Sequence, residues 1–330
     1  MPAAGVDLPR RVVVVGAGTM GARIAVCFAR EGVDVCVTAR RAESLADAAR
    51  TIASCVAQAD AESPGGSSPG GGGSAEAIEA RIRLTTDATS ELAEADLVIE
   101  SIREDLGQKI TLLKHVGAHV PPTAVVATNT SSLDLDILAG AVDAPGRFAG
   151  LHWFNPADLV ELVEVVAGAR TEPETVELLR GWMARLGKVP VLVCRAVPGF
   201  IANRLQYALM REAYALVADG VCGWSDIDIA VTNGLGPRWA SLGPFQNMDL
   251  AGLDVHVAVA RALYPALATD QLPPAALVDH VARGWLGAKS GHGLLGEYTE
   301  EQVARLTSAR DMALRRWSQF RSRLAGDIEE

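Results

Sequence analysis

The feature that most constrains this chain is the run Arg11-Val-Val-Val-Val15, followed at once by Gly16-Ala-Gly18-Thr-Met-Gly21. Four consecutive valines are too few for a helix and too uniformly apolar for a strand with one wet face. They fit a central parallel strand buried on both sides. Beyond the glycines, Met20, Ile24, Cys27 and Phe28 recur at helical spacing, Gly32 ends the helix, and Val33 to Thr38 is a second short β-branched run. A strand, a glycine turn, a helix and a strand make one βαβ unit. In that setting Gly-x-Gly-x-x-Gly has a mechanical reading: Gly16 allows the tight turn, Gly18 lets the backbone approach a pyrophosphate, and Gly21 lets helix and strand pack closely. The helix N-terminus adds free N–H groups and the positive end of its dipole. Gly16, Gly18, Thr19, Met20 and Gly21 are therefore the expected contacts to a dinucleotide.

The same alternation continues downstream. Ala95 to Glu100, Ala124 to Thr128, Phe148 to Trp153, Val160 to Val166 and Val189 to Cys194 read as strands, and Thr171 as the cap of a helix that Gly187 ends. Residues 42 to 61 and roughly 75 to 83 read as two helices of a hairpin, about 42–85. Its tip, Pro64 to Ser74, is so rich in Gly and Ser that it is expected to be mobile and dispensable for chemistry. After Val197-Pro198-Gly199 the pattern becomes helical throughout, with long helices expected over Ile201 to Asp219 and from Ser225. The expected architecture is an α/β Rossmann-type dinucleotide-binding domain over residues 1–196, followed by an all-helical substrate and dimerisation domain over 197–330.

Composition narrows the partners. A net charge of −10 disfavours nucleic acid and anionic membranes, both of which reward a basic surface. No apolar run approaches the roughly 20 residues of a membrane span, and the polar start of the chain does not read as a signal peptide. Cys27, Cys36, Cys55, Cys194 and Cys222 are odd in number and mostly lie in apolar runs, so they read as reduced, buried thiols of a cytoplasmic protein. There is no Cys-x-x-Cys, and His115 and His119 lack further ligands, so no metal site is expected.

Several ordered motifs then act together: Asn129-Thr130-Ser131-Ser132 after a strand, His152-Trp-Phe-Asn-Pro at the end of the next, Leu162-Val163-Glu164 twelve residues after the histidine, Val197-Pro-Gly-Phe-Ile-Ala-Asn203-Arg204, Gly243-Pro244-Phe245 and Lys289-Ser-Gly-His-Gly293. With the glycine turn, this set resembles the L-3-hydroxyacyl-CoA dehydrogenase family, which includes the lambda-crystallin and L-gulonate 3-dehydrogenase branch, over about residues 11 to 300. The resemblance implies a nicotinamide-dependent oxidoreductase acting on a secondary alcohol, in fatty acid metabolism. It implies that His152 is the base, that Glu164 orients it, and that Ser131 and Asn203 donate hydrogen bonds to the substrate oxygen. It also implies cofactor contacts from Glu104, Lys109 and Asn129. The chemistry suits these residue types. Loss of hydride from an alcohol needs a base of pKa near neutrality, and developing negative charge on oxygen needs fixed donors.

The sequence departs from the family in ways that shape expectations. Where an acidic residue should follow the second strand to bind the ribose 2′-hydroxyl, Thr38-Ala39-Arg40-Arg41 stands instead. A small residue followed by arginine suits a 2′-phosphate, so NADP(H) is expected to be favoured, with NAD(H) not excluded. The hairpin carries Arg50, Arg81 and Arg83 but no lysine, and Gly236-Pro-Arg-Trp239 looks more like the lambda-crystallin and carnitine dehydrogenase branch. The leading expectation is interconversion of a 3-hydroxyacyl thioester, on CoA or a carrier protein, with its 3-oxoacyl form. An alternative is dehydrogenation of a free hydroxy acid such as L-gulonate or carnitine. A dinucleotide-binding structural or sensor protein is the non-enzymatic alternative, but it has no need of a base. The apolar stripes after residue 197 exceed what a small domain needs to bury. Together with the resemblance, they predict a homodimer through the helical domain.

Overall fold

The computed structural model describes residues 6–62 and 73–329, so most of the glycine-rich tip read at Pro64 to Ser74 lies outside the described residues. The chain divides into two compact units, Met1–Asn203 and Arg204–Glu330.

The first unit is built on one eight-stranded sheet. Its strands and main helices are β1 (Arg11–Val15), α1 (Thr19–Arg30), β2 (Asp34–Thr38), α2 (Ala42–Glu62), α3 (Ala75–Ala80), β3 (Ile82–Thr85), α4 (Thr89–Leu92), β4 (Leu97–Glu100), α5 (Leu106–Gly117), β5 (Val125–Thr128), α6 (Leu135–Ala139), β6 (Phe148–Trp153), β7 (Leu162–Val166), α7 (Pro173–Arg185) and β8 (Val189–Val193). The order across the sheet is β3-β2-β1-β4-β5-β6-β7-β8, with every pair parallel except β6 with β7. Alternate valines of β1 face opposite layers. Val12 and Val14 pack with α1, α2 and α7, whereas Val13 and Val15 pack with α5, α6 and Phe148. Each such buried side chain contributes roughly 1.5–3 kcal/mol of hydrophobic stabilisation, which is why a strand of this composition belongs at the centre of a sheet covered on both faces.

Two local readings are corrected. Residues 75 to 83 are not one helix: α3 ends at Ala80, and β3 pairs in parallel with β2, Ile82 opposite Val35 and Leu84 opposite Val37. The hairpin therefore returns to the sheet and forms its edge. Ile82 and Leu84 point inward and Arg83 outward, a strand alternation too short to stand out after an Ala/Glu-rich helix. Thr171 does not cap α7, whose N-cap is Glu172; the Thr171 hydroxyl instead donates to the carbonyl of Phe148.

The second unit consists of α8 (Ala202–Ala218), which begins two residues before it, α9 (Trp224–Ala230), α10 (Gly236–Ser241), α11 (Pro244–Ala251), α12 (Leu253–Leu263), α13 (Ala275–Ala282) and α14 (Glu300–Glu329). A π-helical turn over Val231–Leu235 joins α9 to α10. The expectation of no strands here needs a small correction, because β9 (His292–Gly293) and β10 (Gly296–Glu297) form a two-residue antiparallel ribbon. Among the described residues, no helix is long and apolar enough to cross a membrane.

Candidate active site

The carboxyl ends of β1, β4, β5 and β6 lie side by side, because these strands are parallel neighbours. The loops leaving them carry nearly every residue singled out from the sequence. The glycine turn is the tightest part. A Cβ on Gly16, whose φ is +125°, would come within 2.3 Å of the Ser101 carbonyl oxygen, and one on Gly21 within 1.9 Å of the Gly16 carbonyl oxygen. A Cβ on Gly18 would instead meet nothing within 4 Å. Two glycines are thus required by the protein's own packing, and the third leaves an open approach to the N-terminus of α1, where no side chain caps the helix. An open, uncapped helix N-terminus of twelve residues fits a dinucleotide pyrophosphate. The end of β2 adjoins this turn, since the Gly16 N–H donates to Thr38 O at 2.9 Å. Arg40, two residues further on, is solvent-exposed, and Ala39 is half-buried.

His152 and Glu164 are direct partners across the antiparallel β6–β7 pair. This register is why a spacing of twelve residues brings them together. Nδ1 of His152 lies 2.7 Å from Glu164 Oε2, and both residues are buried. A carboxylate only accepts, so Nδ1 carries the proton and Nε2 is left as the basic nitrogen. Glu164 Oε1 accepts from the N–H groups of Ile201 and Ala202, each at 2.9 Å. Burial raises the Glu164 pKa, but the hydrogen bonds from His152, Ala202 and Ile201 outweigh it and hold the carboxyl below its ordinary range. Those amides are presented by a turn in which Gly199 and Phe200 both adopt left-handed backbone, φ 79° and 48°. Such a conformation is costly for an aromatic residue. The Phe200 ring is buried and meets the His152 ring edge-on at 5.6 Å, and the Phe154 ring meets it edge-on at 4.5 Å. Asn203 follows the two donating amides directly, on the first turn of α8.

Asn129 Oδ1 accepts from the Trp153 N–H at 2.9 Å, and its Nδ2 donates to Ser101 Oγ at 3.2 Å. Its amide thereby ties the β5 loop to both neighbouring strand ends. Ser131 sits in a loop gathered around Glu104, whose Oε1 accepts from Thr130 Oγ1 (2.5 Å), Ser131 N (2.9 Å), Ser132 N (3.1 Å) and both serine hydroxyls. Burial raises the Glu104 pKa too, but the Thr130 hydroxyl, the Lys109 charge and the Ser131 amide together bring it below the usual range. Lys109 is fully buried, with Nζ 2.8 Å from both oxygens of Glu100 and 3.3 Å from Glu104 Oε2. Glu100, and the grip of the 201–202 amides on Glu164, were not among the features singled out from the sequence. A carboxylate ending the apolar strand Leu97-Val-Ile-Glu100 was the available signal.

Sequence comparison decides the family. The sequence model of the 3-hydroxyacyl-CoA dehydrogenase NAD binding domain matches residues 11–197, and that of the 3-hydroxyacyl-CoA dehydrogenase C-terminal domain matches residues 199–297. The chain belongs to the 3-hydroxyacyl-CoA dehydrogenase family. With membership comes the class of activity: a nicotinamide-dependent oxidoreductase acting on a CH–OH group. The chain is 34% identical over 302 residues (91% of this chain, 94% of the relative) to 5-formyl-3-hydroxy-2-methylpyridine 4-carboxylate 5-dehydrogenase of Mesorhizobium japonicum. It is 35% identical over 288 residues (87% and 90%) to the mitochondrial hydroxyacyl-coenzyme A dehydrogenase of Sus scrofa. Among solved structures, a 5-formyl-3-hydroxy-2-methylpyridine 4-carboxylic acid 5-dehydrogenase, described as an NAD+-dependent dismutase, superposes with a TM-score of 0.85 at 31% identity, covering 96% of this chain and 99% of that one. Family members thus include enzymes named for thioester substrates and for free carboxylates.

Proposed function

We propose that this enzyme interconverts a 3-hydroxyacyl thioester, on CoA or a carrier protein, and its 3-oxoacyl form. The observation that carries the chemistry is the His152–Glu164 pair, with Nδ1 fixed by the carboxylate and Nε2 left basic, at the strand edge that also bears the glycine turn. The nicotinamide ring supplies hydride transfer when bound. His152 Nε2 takes the hydroxyl proton in oxidation and returns it in reduction, while Glu164 favours the imidazolium that forms, as the orienting carboxylate of a hydrolase triad does. The Asn203 amide donates to the substrate oxygen as its charge grows, and the Ser131 hydroxyl joins it by turning its proton from Glu104 to that oxygen. Gly16, Gly18, Thr19, Met20 and Gly21 cradle the pyrophosphate. Glu104, with about a third of its side chain exposed, meets the cofactor ribose, and Lys109 acts behind it, since it has no surface of its own. Asn129 shapes the same wall.

NADP(H) is the favoured cofactor on this reading. Ala39 cannot accept from ribose hydroxyls, and exposed Arg40 lies just beyond a strand end bonded to the glycine turn. The five unpaired cysteines, of which Cys27, Cys36 and Cys55 are buried and Cys194 is exposed, and the place of such thioesters in fatty acid metabolism suit a cytoplasmic enzyme. The half-exposed apolar residues of the helical unit suit a homodimer.

A second reading is a free hydroxy acid as substrate. It is favoured by the 91% coverage of a relative named for a pyridine carboxylate and by the absence of lysine from the 42–85 segment, where a CoA phosphate would need a cationic handle. The deciding experiment is turnover against a panel of 3-hydroxyacyl thioesters and free hydroxy acids, each with both nicotinamide cofactors. The thioester reading expects kcat/KM at least about tenfold higher for a thioester than for the matching free acid, and equal or inverted values would select the second.

A further inference from the structure

Behind the Ser131 loop lies a charged group that the chemistry above does not use. Glu100 ends β4 with its side chain wholly buried, and Lys109 of α5 is equally buried. Glu100 Oε1 accepts from the Ile102 N–H at 2.7 Å, Oε2 accepts from the Thr128 hydroxyl at 2.5 Å, and both oxygens accept from Lys109 Nζ at 2.8 Å. Lys109 Nζ reaches the Ile102 carbonyl at 3.4 Å and Glu104 Oε2 at 3.3 Å. Glu104 then offers its other oxygen to Thr130, Ser131 and Ser132. Polar contacts of at most 3.4 Å therefore run from Glu100 to the loop that carries Ser131.

We propose that Glu100 is a positioning residue for the Ser131 hydroxyl, acting through Lys109 and Glu104. The inference rests on the reading of Ser131 as a donor to the substrate oxygen. Two physical arguments support it. A buried ion pair is a poor source of stability, since well-packed apolar side chains of similar volume serve as well or better. Something other than stability must therefore be gained from ending an apolar strand on a carboxylate. The second argument is tethering. Glu100 holds the Lys109 ammonium in place, and that ammonium holds Glu104 Oε2, so that Glu104 Oε1 is aimed at the loop donors. Without the pair, Glu104 would lose this hold and turn away from the Ser131 and Ser132 amides.

The test compares wild type with Glu100→Gln, Lys109→Met and the near-isosteric pair Glu100→Leu/Lys109→Met. Four quantities are read: thermal midpoint, affinity for reduced nicotinamide dinucleotide by its fluorescence, hydrogen exchange of the Ser131 and Ser132 amides, and steady-state reduction of acetoacetyl-CoA. The double variant is expected to regain the wild-type midpoint within a few degrees. Its two loop amides should nevertheless exchange at least about tenfold faster, and kcat should fall at least about tenfold with KM changed less than about threefold. A double variant with wild-type exchange and wild-type kcat would overturn the proposal, since the pair would then be structural alone. If the double variant does not fold, the Glu100→Gln exchange rates decide in the same way. His152→Gln in the same assay separates the two layers: turnover surviving in that variant sinks the site reading, while the amide exchange still reports on Glu100.

Discussion

The two units bury their chains very differently. In the first unit, both faces of the sheet are covered and the central strands are wholly buried. In the second, only Ala213 and Asp311 are buried among the described residues. On α12, Leu253, Val255, Val257 and Val259 are all 46–58% exposed, and Phe245 and Leu250 of α11 are nearly 80% exposed. A cavity of about 740 Å³ lined by Tyr214, Trp224, Trp285 and surrounding aliphatic residues opens within the same unit. A sheet covered on both faces completes its own core, whereas these helices leave theirs open. The first unit thus holds its site geometry on a closed core, while the second exposes apolar surface of the kind that partners cover.

The sharpest way to break this contrast is to disturb the tight side. Gly21→Ala places a Cβ within 1.9 Å of the Gly16 carbonyl, a backbone atom that cannot give way cheaply. We expect loss of dinucleotide affinity by at least about a hundredfold and destabilisation of about 2–4 kcal/mol, read by calorimetry and fluorescence titration. A variant that binds cofactor normally would show the turn to be looser than the geometry implies.

The open side is tested by association. A homodimer through the helical unit predicts a single species of about twice 34.6 kDa in sedimentation and a thermal midpoint that rises with protein concentration. Val257→Glu on α12 should shift the mass toward the monomer and lower that midpoint. A monomer with a concentration-independent midpoint would mean that the helices are stable with their apolar faces wet.

Much of this contrast was visible in the sequence, and the reasons differ by region. The valine run announced a doubly covered strand, because short-range periodicity carries such information, whereas the antiparallel pairing that joins His152 to Glu164 was not read from their spacing. Strand β3 was not visible, since four residues with an arginine inside cannot outweigh the helix formers before them. The resemblance singled out Lys109 as a cofactor contact, but not as the buried partner of Glu100, a contact between a strand end and the next helix. Phe200 was quoted within its motif, yet its left-handed backbone leaves no mark when the residue is not glycine. The Ile201 and Ala202 amides that hold Glu164 lie 37 and 38 residues away from it, beyond any local pattern.

Smaller effects sharpen the first unit's edges. Arg40 stands at its exposed rim, where salt screens charge. We expect kcat/KM to favour NADP(H) over NAD(H) by about tenfold, or about 1.4 kcal/mol, and Ala39→Asp with Arg40→Ala to invert the ratio. Preference of the wild type for NAD(H) at moderate salt would turn Arg40 into a solvated surface residue. The smallest effect is on acid stability. The Glu164 carboxyl is held below its ordinary value of 4.5, so its contribution to stability is complete above about that pH and is lost as pH falls through the lower folded-state value. The midpoint difference between wild type and Glu164→Gln should therefore shrink below pH 4.5. A constant difference across that range would mean that the hydrogen bonds to Glu164 do not depend on its charge.

In the proposed mechanism, a preorganised edge of the first unit presents His152 as the proton acceptor. Substituting His152→Gln, which keeps the size and polarity of the side chain, and measuring kcat beside dinucleotide affinity tests it most directly. We expect affinity to stay within about threefold of wild type while kcat drops by at least about a hundredfold, the usual contribution of a positioned general base. Turnover near the wild-type rate, with cofactor binding intact, would contradict it.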